Sequence, residues 1–298
     1  MARQRYGVVA VVGRPNVGKS TLVNRLVGER LCITAARPQT TRHRVLGIVT
    51  DGDLQIALVD TPGIHGDARR ELNRALNRAA GAALVGIDAA LFVVAADRWT
   101  ADDELVRARL AQVRVPVIGV VNRIDRVRDK RRLLPFIDAF SRRLEMVAVV
   151  PLSARTGDNV EALRRELEPL IPEGPHAFAE DALTDRSERF LAAELVREQL
   201  MRRLGEEIPY ALTVEVERFE EMDDGRIGIA AVIWVEREGQ KAIVIGAGGA
   251  RLKEVGSAAR RAMQRLFGVG VHLELWVKVR AGWSDDARAL RAFGYESE

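Results

Sequence analysis

Gly13-Arg14-Pro15-Asn16-Val17-Gly18-Lys19-Ser20-Thr21 decides how this chain is read. The stretch has the form G-x-x-x-x-G-K-S. Before it lies an apolar run, Tyr6 to Val12, fit for a buried strand, and after it Leu22 to Leu26 continues as a helix. Strand, glycine-rich loop and helix in that order form a phosphate loop. Successive backbone N–H groups turn inward and meet the helix N-terminus, so a polyphosphate is held by oriented amides and a helix dipole. Lys19 is expected to reach the β- and γ-phosphates and Ser20 to ligate Mg²⁺.

Working outward, Thr34 to Arg44 is polar and irregular, holds Pro38 and the pair Thr40-Thr41, and reads as a mobile loop. Leu46 to Thr50 and Leu54 to Val59 read as strands joined by Asp51-Gly52-Asp53, a tight-turn signal because Asp-Gly accepts positive φ. The second strand runs into Asp60-Thr61-Pro62-Gly63. An aspartate at the end of a buried strand beside a phosphate loop can hold Mg²⁺, and Gly63 can offer its N–H to a γ-phosphate. Ile64 to Arg78 is polar and arginine-rich, in keeping with a switch ordered by that phosphate. From Ala89 to Leu167 strands and helices alternate, which predicts a mainly parallel sheet with helices on both faces and a ligand site beyond the carboxyl ends of its strands. Asn122-Arg123-Ile124-Asp125 and Ser153-Ala154-Arg155 both fall at such ends. A carboxylate at Asp125 can accept from N1–H and the 2-amino group of guanine, and the Ala154 N–H can donate to O6. Adenine offers neither donor in that arrangement, so this site rejects it by leaving polar atoms unpaired. Asn122 can bridge to the base and brace the loop.

Pro172-Glu173-Gly174-Pro175 breaks this pattern and reads as the start of a linker. Beyond it come an amphipathic helix from Ser187 to Leu204, with Phe190, Leu191, Leu195, Leu200 and Leu204 as core positions, and strands over Tyr210 to Phe219 and Ile227 to Val235. Next stands Gly246-Ala247-Gly248-Gly249, a G-x-x-G between helices, and the last strand spans Val271 to Val279. The 298 residues suit two domains, and 47% apolar residues are ample for two cores. Met1 to Val150 holds 25 Lys and Arg against 15 Asp and Glu, whereas the remainder holds 21 against 27. Lys241 to Arg265 nevertheless carries six basic residues and one acidic residue, which fits either a solvated helix face or a polyanion surface. Cys32 is the only cysteine, so there is no intramolecular disulfide or cysteine-rich metal site, and it is expected to be a small buried hydrophobe. No apolar run approaches a membrane span, and the first one leads directly into the phosphate loop, so a cytoplasmic protein is expected.

Taken together, G-R-P-N-V-G-K-S-T at Gly13, Q-T-T-R-H-R at Gln39, D-T-P-G at Asp60, N-x-x-D at Asn122, S-A-R at Ser153 and V-I-G-x-x-G at Val244 resemble the Era family of bacterial GTPases. Asp185-Arg186-Ser187 and Val271 to Val279 are also family-like, so the resemblance covers nearly the whole chain. It implies an α/β fold, a Ras-like P-loop GTPase domain over 1–171, then a linker over 172–184 and an α+β type II KH domain with a C-terminal extension over 185–298. It implies GTP and GDP as nucleotides, with Gly13 to Thr21, Asp60, Thr61, Pro62, Gly63, Asn122, Arg123, Asp125, Ser153, Ala154 and Arg155 around them. Mg²⁺ falls to Ser20, Asp60 and Thr41, with Thr40 as the alternative to Thr41. Ile64 follows D-T-P-G, and an alkyl group cannot orient water, so intrinsic hydrolysis should be slow. In related GTPases with this replacement the asparagine matching Asn16 binds K⁺, which with Lys19, Thr41 and Gly63 would complete the catalytic set. The family role implied is assembly of the small ribosomal subunit (30S) through its ribosomal RNA 3′ end, by a monomer. Lys241, Gly246, Ala247, Gly248, Gly249, Arg251 and Lys253 would meet that RNA. Two departures stand out: Arg123 occupies a position usually held by lysine, and Ala247-Gly248 lacks the usual basic residue between the glycines. The alternative is a signalling GTPase associated peripherally with the inner face of the membrane, its C-terminal domain being a protein or lipid platform.

Overall fold

The computed structural model describes residues 3–35, 37, 39–64, 66, 70–205 and 208–295, with the side chain of Pro209 excepted. Pro38, part of the stretch from Ile64 to Arg78, and the last three residues of the extension therefore lie outside the described residues. Backbone contacts divide the chain into two units. The first is 1–32, 41–69 and 73–185, and the second is 33–40, 70–72 and 186–298.

The first unit is a six-stranded sheet built from β1 (Arg5–Val12), β2 (Val45–Asp51), β3 (Leu54–Asp60), β4 (Ala89–Ala95), β5 (Val117–Asn122) and β6 (Ala148–Pro151). Their order is β2-β3-β1-β4-β5-β6, and only β2 runs antiparallel to its neighbour. β1, β4 and β5 are almost continuously apolar because both faces of a parallel sheet are covered. Around them lie α1 (Lys19–Val27), α2 (Glu71–Ala82, from Asn73 on), α3 (Ala101–Leu110), α4 (Leu133–Ser141) and α5 (Val160–Leu167). α2 falls where the sequence reads only as a polar switch. Its Leu72, Ala75, Leu76 and Ala80 are buried at helical spacing and supply an apolar stripe among the Arg and Asn residues.

The expected linker is an ordered part of this unit. The Tyr6 N–H donates to the Pro172 carbonyl, Gly174 N–H to that of Gln4 and Ile48 N–H to that of Leu183, while Gln55 holds Phe178 through its amide. These bonds occupy backbone groups that the strands would otherwise leave exposed.

The second unit contains α6 (Glu188–Arg203), β7 (Leu212–Glu221), β8 (Ile227–Val235), α7 (Glu238–Ile245), α8 (Ala250–Phe267), β9 (Val271–Val279) and α9 (Ala287–Ala292). The sheet order is β7-β8-β9, antiparallel then parallel. One core joins Leu195, Leu200, Ile233, Val255, Ala259 and Met263. Of the five residues expected to be core in α6, Phe190 is only half-buried, under Arg186. Trp283 is fully buried, donates to the Ala211 carbonyl and stacks on Tyr295, which anchors the C-terminal extension. The segment 33–40, read from sequence as mobile, is held within this unit: Glu198 accepts from the Thr34 N–H at 2.8 Å, and the buried Arg197 donates to the Thr40 carbonyl.

Candidate nucleotide and RNA sites

At the carboxyl end of β1 the chain has no room for side chains. A Cβ at Gly13 would collide with the Val93 carbonyl, and one at Gly18 with the Asn122 side-chain amide. Gly18 also has φ 103, and Asn16 accepts φ 62. Lys19 folds back so that Nζ donates to the carbonyls of Gly13 at 3.0 Å and Arg14 at 3.1 Å. Burial lowers its pKa from 10.5 to about 8, against the attraction of Asp60. Arg14 donates from Nε to Asp103 Oδ2 at 3.0 Å, and the same carboxylate oxygen accepts from Thr100 at the N-cap of α3. Spacing gives no signal for this brace, because 89 residues separate its partners.

Ser20, Asp60 and Thr41 converge on one point. Ser20 Oγ donates to Asp60 Oδ2 at 2.6 Å and lies 2.7 Å from Thr41 Oγ1, which is 3.3 Å from the same oxygen. Asp60 is fully buried and Oδ1 has no hydrogen-bond partner. Burial pushes its pKa up, while Lys19, the Ser20 hydroxyl, the Cys32 thiol and the Thr41 hydroxyl pull against that shift. A buried, unpaired carboxylate oxygen with two hydroxyls beside it fits a hard divalent cation. Thr40 is absent from this cluster, since its hydroxyl donates to the Arg37 carbonyl. Thr61 is tied through Oγ1 to the Val11 carbonyl, and Pro62 is buried beside it. A Cβ on Gly63 would stand 2.5 Å from the Pro15 nitrogen, so only glycine lets this loop close on the phosphate loop. Ile64 is buried in the core with Ala10, Val12 and Phe92.

Asn122 is used as a brace on both of its polar atoms: Nδ2 donates to the Val17 carbonyl at 2.8 Å, and Oδ1 accepts from Arg123 N–H at 2.7 Å and Ala154 N–H at 3.0 Å. The Arg123 guanidinium donates to the Asn16 carbonyl, and burial lowers its pKa. Asp125 feels some burial, which pushes its pKa up, yet bonds from Ser153 Oγ at 2.7 Å and Arg155 Nη2 at 2.7 Å outweigh it and keep the carboxylate ionised. All the nucleotide-binding positions read from sequence thus gather at one end of the sheet.

In the second unit, Gly246, Gly248 and Gly249 all have positive φ. Nothing stands within 4 Å of a Cβ built on Gly248 or Gly249, so both glycines are required by backbone conformation and open onto free space. Beside them a groove of about 460 Å³ runs between α8 and β9, lined by Gly249, Lys253, Ser257 and Arg260 on one side and His272 and Leu275 on the other. Arg260 is read from sequence only as one of the basic residues of Lys241 to Arg265, and Ser257 and His272 carry no signal there, because their approach depends on the pairing of β9 with β8. Arg251 donates to the Ile243 carbonyl at 2.8 Å and closes the end of α7, and Lys241 stands 3.8 Å from Glu238 on α7. Of the cations expected at the RNA, only Lys253 lines the groove.

A phosphate loop with a guanine-type carboxylate on one unit and a glycine loop beside a groove on the other define a P-loop GTPase carrying a KH domain. Residues 8–123 match the family model described as 50S ribosome-binding GTPase, and residues 207–284 match that of the KH domain. The chain is 58% identical over 290 residues to GTPase Era of Stenotrophomonas maltophilia strain K279a, covering 97% of each chain. To GTPase Era of Xanthomonas oryzae pv. oryzae strain MAFF 311018 it is 59% identical over 292 residues, covering 98% of this chain and 97% of the relative. A crystal structure of Era in complex with MgGDPNP and nucleotides 1506–1542 of 16S ribosomal RNA superposes with TM-score 0.95 at 38% identity, covering 99% of this chain and all of that one. A point variant of Aquifex aeolicus Era bound to GDP·AlF4⁻ superposes equally well, with the same identity and coverage. The chain belongs to the GTPase Era family.

Proposed function

We propose that this GTPase binds GTP between Lys19 and Asp125 and hydrolyses it to GDP and phosphate. We further propose that it binds the 3′ end of 16S ribosomal RNA along the groove beside Gly249, acting in the cytoplasm as a monomer during maturation of the 30S subunit. The observation that carries the nucleotide assignment is the convergence of Ser20, Thr41 and Asp60 beside the Lys19 amine, with Asp125 and Ala154 at the same end of the sheet. Lys19 and the loop amides would hold the phosphates, and Asp125 and the Ala154 N–H would select guanine. Ser20, Asp60 and Thr41 would hold Mg²⁺, which when bound neutralises charge on the β- and γ-phosphates. With Ile64 buried, the side chain directly after D-T-P-G cannot orient water, so hydrolysis would rely on charge around the phosphates, where Asn16 would hold a K⁺ ion.

The RNA assignment is supported by the open glycine pair and its groove, since a KH loop needs close backbone approach and an adjoining surface for bases. The structure of a relative with MgGDPNP and nucleotides of 16S ribosomal RNA supports the same reading. None of the described helices is long and apolar enough to cross a membrane. Binding of labelled GTP, ATP, a 16S 3′ fragment and anionic lipid vesicles tests both assignments. GTP and RNA should bind. Saturable vesicle binding without RNA binding would replace the RNA reading with the membrane platform.

A further inference from the structure

Arg25 belongs to none of the nucleotide motifs, yet it grips the loop that would read the base. It stands in the last turn of α1, the helix that begins at Lys19. From there Nε donates to the Ala154 carbonyl at 3.2 Å and Nη2 to the Arg155 carbonyl at 2.7 Å. The loop it holds is already tightly turned: Ser153 N–H donates to the Asp158 carbonyl, Gly157 N–H to that of Ser153, and Thr156 N–H to Ser153 Oγ. Ala154 is buried and held at both ends, its N–H directed at Asn122 and its carbonyl at Arg25. Gly157 takes φ +88, and the Arg25 guanidinium packs at ordinary contact distance beside it, 3.6 Å from where a Cβ would stand. α1 thus carries the phosphate-binding lysine at its start and a clamp on the base loop near its end.

We propose that Arg25 is a positioning residue for guanine recognition, holding the Ala154 peptide so that its N–H, which donates to Asn122 Oδ1 in this structure, is placed to exchange that partner for the base O6. This rests on the nucleotide assignment above. Arginine suits the task because its planar fork can reach two carbonyls at once, and its charge strengthens both bonds. The exposed side chain has no share in the core, so replacing it tests the loop and spares the fold.

The experiment compares the full-length protein with Arg25→Met, which keeps the stem and loses the fork. Affinities are measured for GDP, for 6-thio-GDP, whose sulfur is a weak acceptor in place of O6, and for IDP, which keeps O6 and lacks the 2-amino group. GDP affinity should fall about tenfold, corresponding to ~1.4 kcal/mol. The preference for GDP over 6-thio-GDP should shrink at least threefold, while that for GDP over IDP, set by Asp125, should hold. Unchanged affinities, or equal losses for all three nucleotides, would overturn the proposal, because a merely structural arginine moves no ratio. Asp125→Asn, assayed for a switch from GDP to XDP, reads the underlying assignment separately. If that switch fails, the nucleotide assignment falls and the Arg25 proposal falls with it; if it succeeds while the Arg25→Met ratios stay fixed, only the Arg25 proposal falls.

Discussion

The nucleotide site and the groove of the KH unit are both built around glycines, but Gly248 and Gly249 have surroundings opposite to those of the nucleotide site, while Gly246 is crowded, a Cβ there standing 2.8 Å from Arg251 Cβ. At Gly13, Gly18 and Gly63 a Cβ would strike another part of the protein, whereas at Gly248 and Gly249 it would meet nothing. The first site is closely packed, and its side chains hold one another: Asn122 makes three bonds, Asp60 is fully buried, and Arg14 is tied to Asp103. Such a site can discriminate sharply, since a wrong ligand leaves buried groups unpaired. The groove is lined by side chains open to solvent, so it gains affinity from many weaker contacts and depends on salt. One lesson is that a glycine motif becomes specific when its neighbours fill the space around it.

Perturbations should therefore act strongly on one region and mildly on the other. The largest effect is expected for Asp125→Asn, which should weaken GTP about a thousandfold and bring XTP to comparable affinity, because the exchanged donor pairs with the 2-oxo group. Competition binding with both nucleotides checks it, and an unchanged preference would break the contrast drawn above. Next, Lys19→Ala should cost at least about 100-fold in GTP affinity through loss of charge-assisted bonds, while thermal unfolding shows the fold retained. Normal GTP affinity would remove the phosphate loop from the account.

A smaller effect comes from pH. The folded-state pKa of Lys19 is about 8 and its ordinary value 10.5, so between the two the unfolded chain binds more protons and this group makes folding stability rise with pH. Phosphate requires the charged amine, so GTP affinity should fall as pH rises above about 8, by at most about tenfold per unit. Titration of Lys19→Met, which should lack the dependence, isolates the group. The smallest expected effect is hydrolysis about threefold faster in K⁺ than in Na⁺ at equal ionic strength, abolished by Asn16→Ala. Equal rates in the two salts would take Asn16 out of the catalytic set.

Much of this was legible in the chain itself. The doubly covered sheet follows from apolar runs separated by helices, and the guanine motifs are readable because each sits directly after a strand. The helix, strand, strand, helix, G-x-x-G, helix, strand order of the second half is equally plain. What escaped reading depends on contacts between distant residues. Arg25 and Asp103 act on loops 129 and 89 residues away. Arg251 looks like an RNA contact until the turn at Gly246 brings it back to the end of α7. The stretch 172–184 has the composition of a linker, yet backbone bonding to the strands orders it. α2 is hidden because the stretch in which it begins, Ile64 to Arg78, is polar and arginine-rich, while four buried apolar positions set its packing.

The central claim is that guanine nucleotide and RNA are bound by separate sites of these two kinds. It is tested most directly with Gly249→Asp, measuring RNA and GTP affinity on one preparation. The substitution places a negative charge in the open space beside Gly249 and a side chain on a backbone with φ +79. Gel-shift titration with a single-stranded 16S 3′ fragment should show at least a tenfold loss, about 1.4 kcal/mol, with GTP affinity unchanged. Normal RNA binding by this variant would contradict the account.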